Sequence, residues 1–563
     1  PQPFKLSYPI SRSVNRCCYN ENPDEAKQFV AFLSGVAGAG KSFVLELTCD
    51  IVKMLVGDKY AALKMAPTGK AAIACGGNVV DAVLRFNRND RKHTKLAPTD
   101  SFLQERQQMF KHTKMLLNDE FSMWGSRMLA SYSCRCNEIF NEGKFDDFGD
   151  NADEYFGGVN MVIFTGDLMQ LQPVLDRAPY NVPETAPPFA TIGRNVYKEI
   201  EHVFLLDKSV RQENDTEFVK MLEEVRNGKI SETGMRKWNS RTLAQANVSH
   251  NTLLQRDKTL FLTPLNRDKN EINEEYLLQL ENVVFCKCKA FGKQAKSENP
   301  SKATAGQLSK IPLNLYLAIG CMVKLTINDD VKNGIVNGAR GVVVGLCFEP
   351  DKEFVDAQEV LNNDCVDEAN ANDILLDKIL DAMGIIENKK RLYGPNYTGY
   401  EYTSQKELQF VWVDLPEYTG PRFSEDLPPT YVLFGKHEVT SRCGRSTRIG
   451  FPFHVAKCDS VHSSQGITTG TGKQFEYIVA CNWKLRYENM MPGLWYVFAS
   501  RVMTLLNLYL DFRIDKKSLD GIGGSKIFKL LHEETRNNRI HALNRRESDI
   551  RNCIGTKDNF VAL

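Results

Sequence analysis

The stretch GVAGAGKS, residues 35–42, constrains this chain more than any other feature. Gly35, Gly40, Lys41 and Ser42 carry the spacing of a phosphate loop. Small residues let the backbone close around one anion, so the N–H groups of Gly38, Ala39 and Gly40 can converge on it. Lys41 is placed to reach the terminal phosphates, and the Ser42 hydroxyl to bind a divalent cation. The flanks agree with this reading. FVAFL, residues 29–33, is an unbroken apolar run of the kind that forms a strand buried on both faces. Val44, Leu47, Ile51 and Leu55 recur at helical spacing. Strand, glycine loop and helix together aim a helix N-terminus at the anion.

The 563 residues are too many for one core and predict two to four domains. Hydrophobic residues make up 42% and charged residues 25%, the balance of a globular protein. With a net charge of +1 there is no global positive field, so any binding of nucleic acid must use a local groove. No apolar run approaches the roughly 20 residues that span a bilayer, and no membrane partner is expected. The first residues, PQPFKLSYPI, have neither signal-peptide nor transit-peptide character, and the missing initiator Met is what a fragment or processed product would show. The 15 cysteines are scattered, without a C-x-x-C pair. A four-cysteine zinc site from Cys134/Cys136 and Cys286/Cys288 has atypical spacing; reduced thiols in an intracellular protein is the plainer reading. Nucleus, mitochondrion and virus association are equally compatible with it.

Two further apolar runs end in acids or amides. KMLLNDEFSM, residues 114–123, ends in Asp119-Glu120. Adjacent carboxylates can divide the work of hydrolysis, Asp119 near a metal and Glu120 toward the γ-phosphate and its attacking water. VNMVIFTGDLMQLQPV, residues 159–174, ends in a turn with Asp167 and Gln170, and a neutral amide at Gln170 can contact both γ-phosphate and water. Three apolar strands with polar ends predict a parallel sheet with its site at the carboxyl edge.

The series resembles the superfamily 1 helicases, specifically the B branch with the PIF and RecD-type enzymes. APTGKAA (66–72), KSVRQENDTEFVKMLEEVRNG (208–228), LTPLNRDKNEIN (262–273), GCMVKLTINDDVKNGIVNGARGVVVG (320–345), DSVHSSQGITT (459–469) and YVFASRV (496–502) match further motifs in the family's order. The resemblance implies an α/β chain of two tandem RecA-like P-loop lobes, with a small wedge insertion in the first and an SH3-like β insertion in the second. Residues 1–205 would form the first lobe, its wedge at about 85–114; 206–345 with 453–515 the second; 346–452 the inserted domain; and 516–563 a helical tail. It implies ATP with Mg²⁺, held by Gly38, Ala39, Gly40, Lys41, Ser42, Gln170, Arg211, Gln465, Gly466 and Arg501, with Ser42 and Asp119 on the metal. Lys41, Asp119, Glu120, Gln170, Arg211 and Arg501 would carry catalysis. Arginine suits the last two positions because its planar fork donates paired hydrogen bonds to phosphate oxygens.

On the strand side, the resemblance points to Pro67, Thr68, Lys70, Phe86, Thr263, Asn266, His462, Ser464 and Thr468. The basic residues 85–114, with Phe86, Phe102 and Phe110, suit a wedge beside a duplex junction, with a solvated charged loop as the alternative. The long insertion begins with an acidic helical stretch at 364–384 and ends in strand-like LQFVWVDL and TYVLFG. A helix is expected in SKIFKLLHEETRNNRIHALNRR. The chain departs from the family near Arg16, where an adenine-reading glutamine is usual, and at Val79, Asp81, Gln172 and Ser463. The implied activity is an ATP-dependent 5′–3′ DNA helicase, working as a monomeric motor on single-stranded and forked duplex DNA, alongside further domains of a larger polypeptide or replication proteins. An RNA-translocating ATPase and a scaffold subunit with a dormant motor are the alternatives.

Overall fold

The computed structural model describes residues 28–86, 92–140, 155–173, 175–292, 295–296, 308–348, 408–441, 444–515 and 526–555. The acidic stretch 364–384 and the Arg16 position lie outside them. Two compact units are present: one takes its residues from Pro1–Ser249 and Val461–Leu563, the other from His250–Ser460.

In the first unit, β1 (Phe29–Gly35), β2 (Ala62–Ala66), β3 (Asn78–Val79), β4 (Met115–Asn118), β5 (Met161–Gly166) and β6 (His202–Leu206) form one sheet, ordered β3-β2-β4-β5-β1-β6. Every neighbouring pair is parallel. The apolar runs are continuous because both faces are covered. Val30, Phe32, Leu116, Val162 and Phe164 enter one core, and Phe29, Ala31, Leu33, Met115, Leu117 and Ile163 the other. Since β4, β5 and β1 are adjacent, the Asp119-Glu120 pair, the Asp167–Gln170 turn and the phosphate loop leave the sheet side by side.

The helix after the loop, Lys41–Val56, turns a different face inward from the one its apolar spacing suggests. Leu45, Thr48, Cys49 and Val52 are buried, whereas Leu47 and Ile51 are 48% and 36% exposed. Two apolar stripes lie side by side on this helix. The one with the smaller Thr48 and Cys49 allows closer approach to the sheet, and Cys49 Sγ lies 3.8 Å from the Ala62 carbonyl.

Within the basic stretch, the helix Ser101–Met109 starts at Asp100, which accepts from the Phe102 N–H. Phe110 is core, between Tyr60 and Phe140, while Phe102 lies under the guanidinium groups of Arg85 and Arg106 at 5.3 and 4.9 Å. Arg135 and Glu138, on the buried helix Ser126–Phe140, tie down the preceding loop. Arg135 donates to the Thr94 and Arg85 carbonyls, and Glu138 joins Arg135, His93 and the Leu96 N–H.

The second unit is mainly β. Its strands are β7 (Thr259–Thr263), β8 (Val284–Lys287), β9 (Lys289–Phe291), β10 (Asn314–Leu317), β11 (Met322–Leu325), β12 (Arg340–Phe348), β13 (Leu408–Asp414), β14 (Tyr431–Phe434), β15 (His437–Thr440), β16 (Thr447–Gly450), β17 (Phe453–Val455) and β18 (Cys458–Ser460). An antiparallel sheet runs β14-β13-β12-β11-β17, so both strand-like runs expected in the insertion are strands. β7 and β18 pair in parallel. The chain then returns to the first unit, where the strands Tyr477–Ala480 and Leu508–Leu510 are parallel neighbours and the helix Leu494–Ala499 precedes Arg501. The expected tail helix spans Lys526–Gly555. No described helix is long and apolar enough to cross a membrane.

Candidate functional site

The phosphate loop is held from two sides within the first unit. Gly38 and Gly40 have φ of 77° and 85°, conformations that favour glycine. A methyl group on Gly38 would sit 2.5 Å from Arg211 Cβ, so glycine is also required for close approach. The Gly38 carbonyl accepts from the Val210 and Arg211 N–H groups at 2.9 and 3.3 Å, and Ser209 Oγ donates to the Ala37 carbonyl. On the other side the Ala37 N–H donates to the Tyr496 hydroxyl at 3.1 Å. Around Gly40 an added methyl would meet nothing within 4 Å, so the cradle is open there. Lys41 Nζ donates to the Gly35 and Val36 carbonyls at 2.8 and 3.1 Å. Ser42 follows it in the first turn of the helix.

Asp119 is buried at the end of β4. Its Oδ1 accepts from the Glu120 N–H at 2.8 Å and from the Thr165 hydroxyl on β5. Glu120 has φ 52° and ψ 50°, a left-handed backbone on a residue with a side chain, of the strained kind that concentrates at functional sites. Burial lifts its carboxyl above the usual range and neighbouring Asp119 adds to this, with Lys41 and Arg501 opposing. Asp167 is fully buried, accepting from Arg226 and the Tyr496 hydroxyl, each at 2.9 Å. Three residues later, Gln170 is buried with its Oε1 unpartnered.

The arginines complete the cluster. Arg211 donates to the Ser500 carbonyl at 2.7 Å, and Gln212 Nε2 bridges the Ser500 and Val502 carbonyls. Arg501 is buried, its Nε bonded to the Val497 carbonyl and one terminal nitrogen to Ser500 Oγ. Burial and the like charge of Arg501 push Arg211 down to about 9. Lys41 is also lowered by burial, against the pull of Asp167, Glu120 and Asp119. Gln465 and Gly466 lie in a turn whose continuation pairs with the arginine segment, Thr469 N–H to Arg501 carbonyl at 2.8 Å. Neither amide atom of the buried Gln465 has a partner. Crowded cations and unmatched amides are what a polyanionic ligand would satisfy.

The groups fit a magnesium triphosphate: Ser42 and Asp119 offer hard oxygen donors, and the open glycine cradle faces a helix N-terminus. Among the described residues no group of three or more His, Cys, Asp or Glu could hold a metal by itself, and the cysteines are free thiols.

The residues expected along a nucleic acid are spread over both units. In the first unit Thr68 caps the helix Gly69–Ala74, accepting from Ala71 N–H, with buried Pro67 before it; the Lys70 side chain lies outside the described residues. Phe86 packs partly buried against the core. His462 is lowered by burial, which favours its neutral form. Ser464 is buried and donates to the Val461 carbonyl, and Thr468 is half-buried. In the second unit Thr263 is buried at the end of β7, and Asn266 is exposed at the start of the helix Asn266–Leu277. Tyr496, Arg226 and Gln212 were not singled out from sequence. All three lie inside motif segments quoted above, and that adjacency was the available signal.

The fold and this cluster define a phosphate-loop nucleotide-binding protein with arginines closing on the loop. Residues 12–236 match the family model for PIF1-like helicases. The chain is 28% identical over 332 residues to the ATP-dependent DNA helicase PIF1 of Danio rerio, covering 57% of this chain and 45% of that protein. An uncharacterized protein, 030L of Invertebrate iridescent virus 6, is 23% identical over 492 residues, 83% of this chain and 84% of the viral protein. The chain thus matches under half the length of the PIF1 relative. Among solved structures, a Bacteroides Pif1 helicase in complex with ADP-AlF3 and single-stranded DNA matches with a TM-score of 0.54 at 18% identity, over 91% of this chain and 93% of that one. That likeness extends the RecA-like fold over most of the chain.

Proposed function

We propose that this chain is an ATP-driven motor that translocates 5′ to 3′ on single-stranded DNA and opens forked duplexes during replication, repair or recombination. The observation that carries the reading is the convergence of Lys41, Glu120, Arg211 and Arg501 around the phosphate loop, with Gln170 Oε1 and both Gln465 amide atoms unmatched. The relatives' names and the Bacteroides complex support the choice of ATP and DNA.

In this reading Lys41 and the loop amides bind the phosphates, and Ser42 and Asp119 hold Mg²⁺, which supplies charge neutralisation and orientation. Glu120, with its raised affinity for a proton, accepts one from the attacking water, whose position Gln170 fixes. Arg211 and Arg501 offset the charge that builds on the transferred group. Both hang on the Ser500 segment, so loss of the γ-phosphate removes a tie between the loop and that segment. Each unit carries polar groups assigned to the strand, Thr68, His462 and Thr468 in the first and Asn266 in the second.

Lys41→Ala tests the reading. Strand-stimulated ATP turnover should vanish while DNA binding at low salt persists; continued turnover overturns the site. A fork with only a 5′ tail should open and one with only a 3′ tail should not. Stimulation by RNA in preference to DNA would reassign the polymer.

A further inference from the structure

Glu488 has no part in the site described so far, yet it is 3% exposed. It sits in an aromatic cluster, with Trp483 and Trp495 edge to face at 4.7 Å and Phe512 and Trp238 within 5.6 Å of Trp495. A carboxylate in such surroundings is costly unless every lone pair is used. Here three N–H groups point at it. Gly493 N–H donates to Oε1 at 2.7 Å, and Trp495 N–H and Trp483 Nε1 donate to Oε2 at 2.9 and 3.0 Å. All are donors, so the ionised form is the one that matches. Burial nonetheless raises the carboxyl above its usual range.

The place being held matters. Gly493 has φ 95°, and a methyl group on it would come within 2.5 Å of the Met169 carbonyl and 3.4 Å of the Gln170 carbonyl carbon. It is the point where the backbone entering the Leu494–Ala499 helix backs onto the Met169–Gln170 peptide. Gln170 is already fixed on both sides: its own N–H donates to the Asp167 carbonyl at 2.9 Å, and its own carbonyl, in the next peptide, accepts from Gln172 at 3.1 Å. On the other side the short helix delivers Tyr496 to the phosphate loop and Arg501 to the arginine pair. One carboxylate therefore sets the gap between the amide that faces the γ-phosphate and the helix that carries the arginine.

We infer that Glu488 is a positioning residue for hydrolysis: by clamping Gly493 it fixes the register between Gln170 and Arg501. The inference rests on the nucleotide half of the proposed function and not on the DNA half. A misplacement of about 1 Å in such a site costs on the order of 100-fold in rate while contacts to the nucleotide itself survive.

The test uses the full chain, basal Mg²⁺-ATP turnover without any strand, and binding of a fluorescent ADP. Glu488→Gln keeps the size but turns an NH₂ toward N–H donors. It should lower basal kcat about 10–100-fold and leave ADP affinity within about 3-fold. Gly493→Ala disturbs the same contact from the opposite side, without touching the carboxylate, and should give the same split. Trp483→Phe removes only the indole donor and should leave kcat within about 3-fold. Wild-type kcat in both Glu488→Gln and Gly493→Ala overturns the inference. So does a loss of ADP affinity in step with kcat, the mark of a merely structural role. Should Glu488→Gln not fold, Gly493→Ala decides the matter. Failure of the DNA reading shows separately, as a wild type whose turnover no strand stimulates.

Discussion

Two aspartates in this molecule have almost the same degree of burial and opposite meanings. Asp167 in the first unit and Asp459 in the second are 0% and 1% exposed, and each is bound by an arginine. Asp459 takes Lys324 at 2.7 Å, Arg340, and the Ser460 N–H, while Arg340 also donates to the Ala456 carbonyl. Those attractions outweigh burial and hold its carboxyl far below the usual range. Lys324 and Arg340 both direct donors at this one carboxylate. Asp167 is held below its usual range by Arg226 and Lys41 too, but its surroundings are not balanced. Lys41 and Arg211 are lowered, Glu120 is raised, and Gln170 Oε1 and both amide atoms of Gln465 lack partners. A buried ion pair is therefore a poor marker of function by itself. The surplus of unmatched polar groups around it separates a ligand site from a structural tie.

Mutations can break this contrast. The largest effect is expected for Arg501→Ala. Turnover should fall by roughly 10³–10⁵, with the thermal midpoint kept or raised because Arg211 loses a like-charged neighbour. If the variant instead unfolds readily with turnover intact, Arg501 belongs with Arg340 as a tie. Asp459→Ala should do the reverse, leaving Lys324 and Arg340 buried without their anion at a cost of about 3–5 kcal/mol in urea unfolding, with ADP affinity unchanged.

Tyr496→Phe sharpens the comparison at a smaller scale. It removes both the hydroxyl that donates to Asp167 and the acceptor for the Ala37 N–H. About 1–2 kcal/mol is expected, read as roughly 5- to 30-fold weaker ADP binding. The remaining contrast is a pH dependence in the second unit. His454 is pushed down to about 4 by burial and by Lys269 and Lys324, with the Ser309 backbone and Asp459 opposing. Between its ordinary value near 6.5 and about 4 the unfolded chain takes up a proton that the folded chain refuses. Stability then falls as pH drops through that window and levels off below it. His454→Leu should flatten the slope; an unchanged slope would assign it to other groups.

How much of this was legible in the chain depends on distance along it. The phosphate loop, the strand-end acids and the helix over 526–555 are written in contiguous residues, where period and spacing suffice. The inward face of the Lys41–Val56 helix was not, because two apolar stripes compete and the sheet beneath decides between them. Ser464 and Thr263 are expected along a nucleic acid, yet both are buried, a property fixed by packing of remote segments. Tyr496 meets Ala37 across 459 positions, and no local pattern encodes such a contact. Glu488 was invisible for the same reason. In YENMM it looks like a solvated acid, and its three donors come from a fold that buries the residues around it.

The first unit is assembled from two stretches of chain with His250–Ser460 between them. A ribosome making this protein releases the glycine loop and Arg226 long before Tyr496 and Arg501. At about 5–20 residues per second, the intervening ~210 residues take roughly 10–40 s. During that time Asp167 has one of its two side-chain partners and the Ala37 N–H has no hydroxyl to meet. The phosphate loop of the nascent first unit therefore lacks these partners until the segment with Tyr496 and Arg501 emerges.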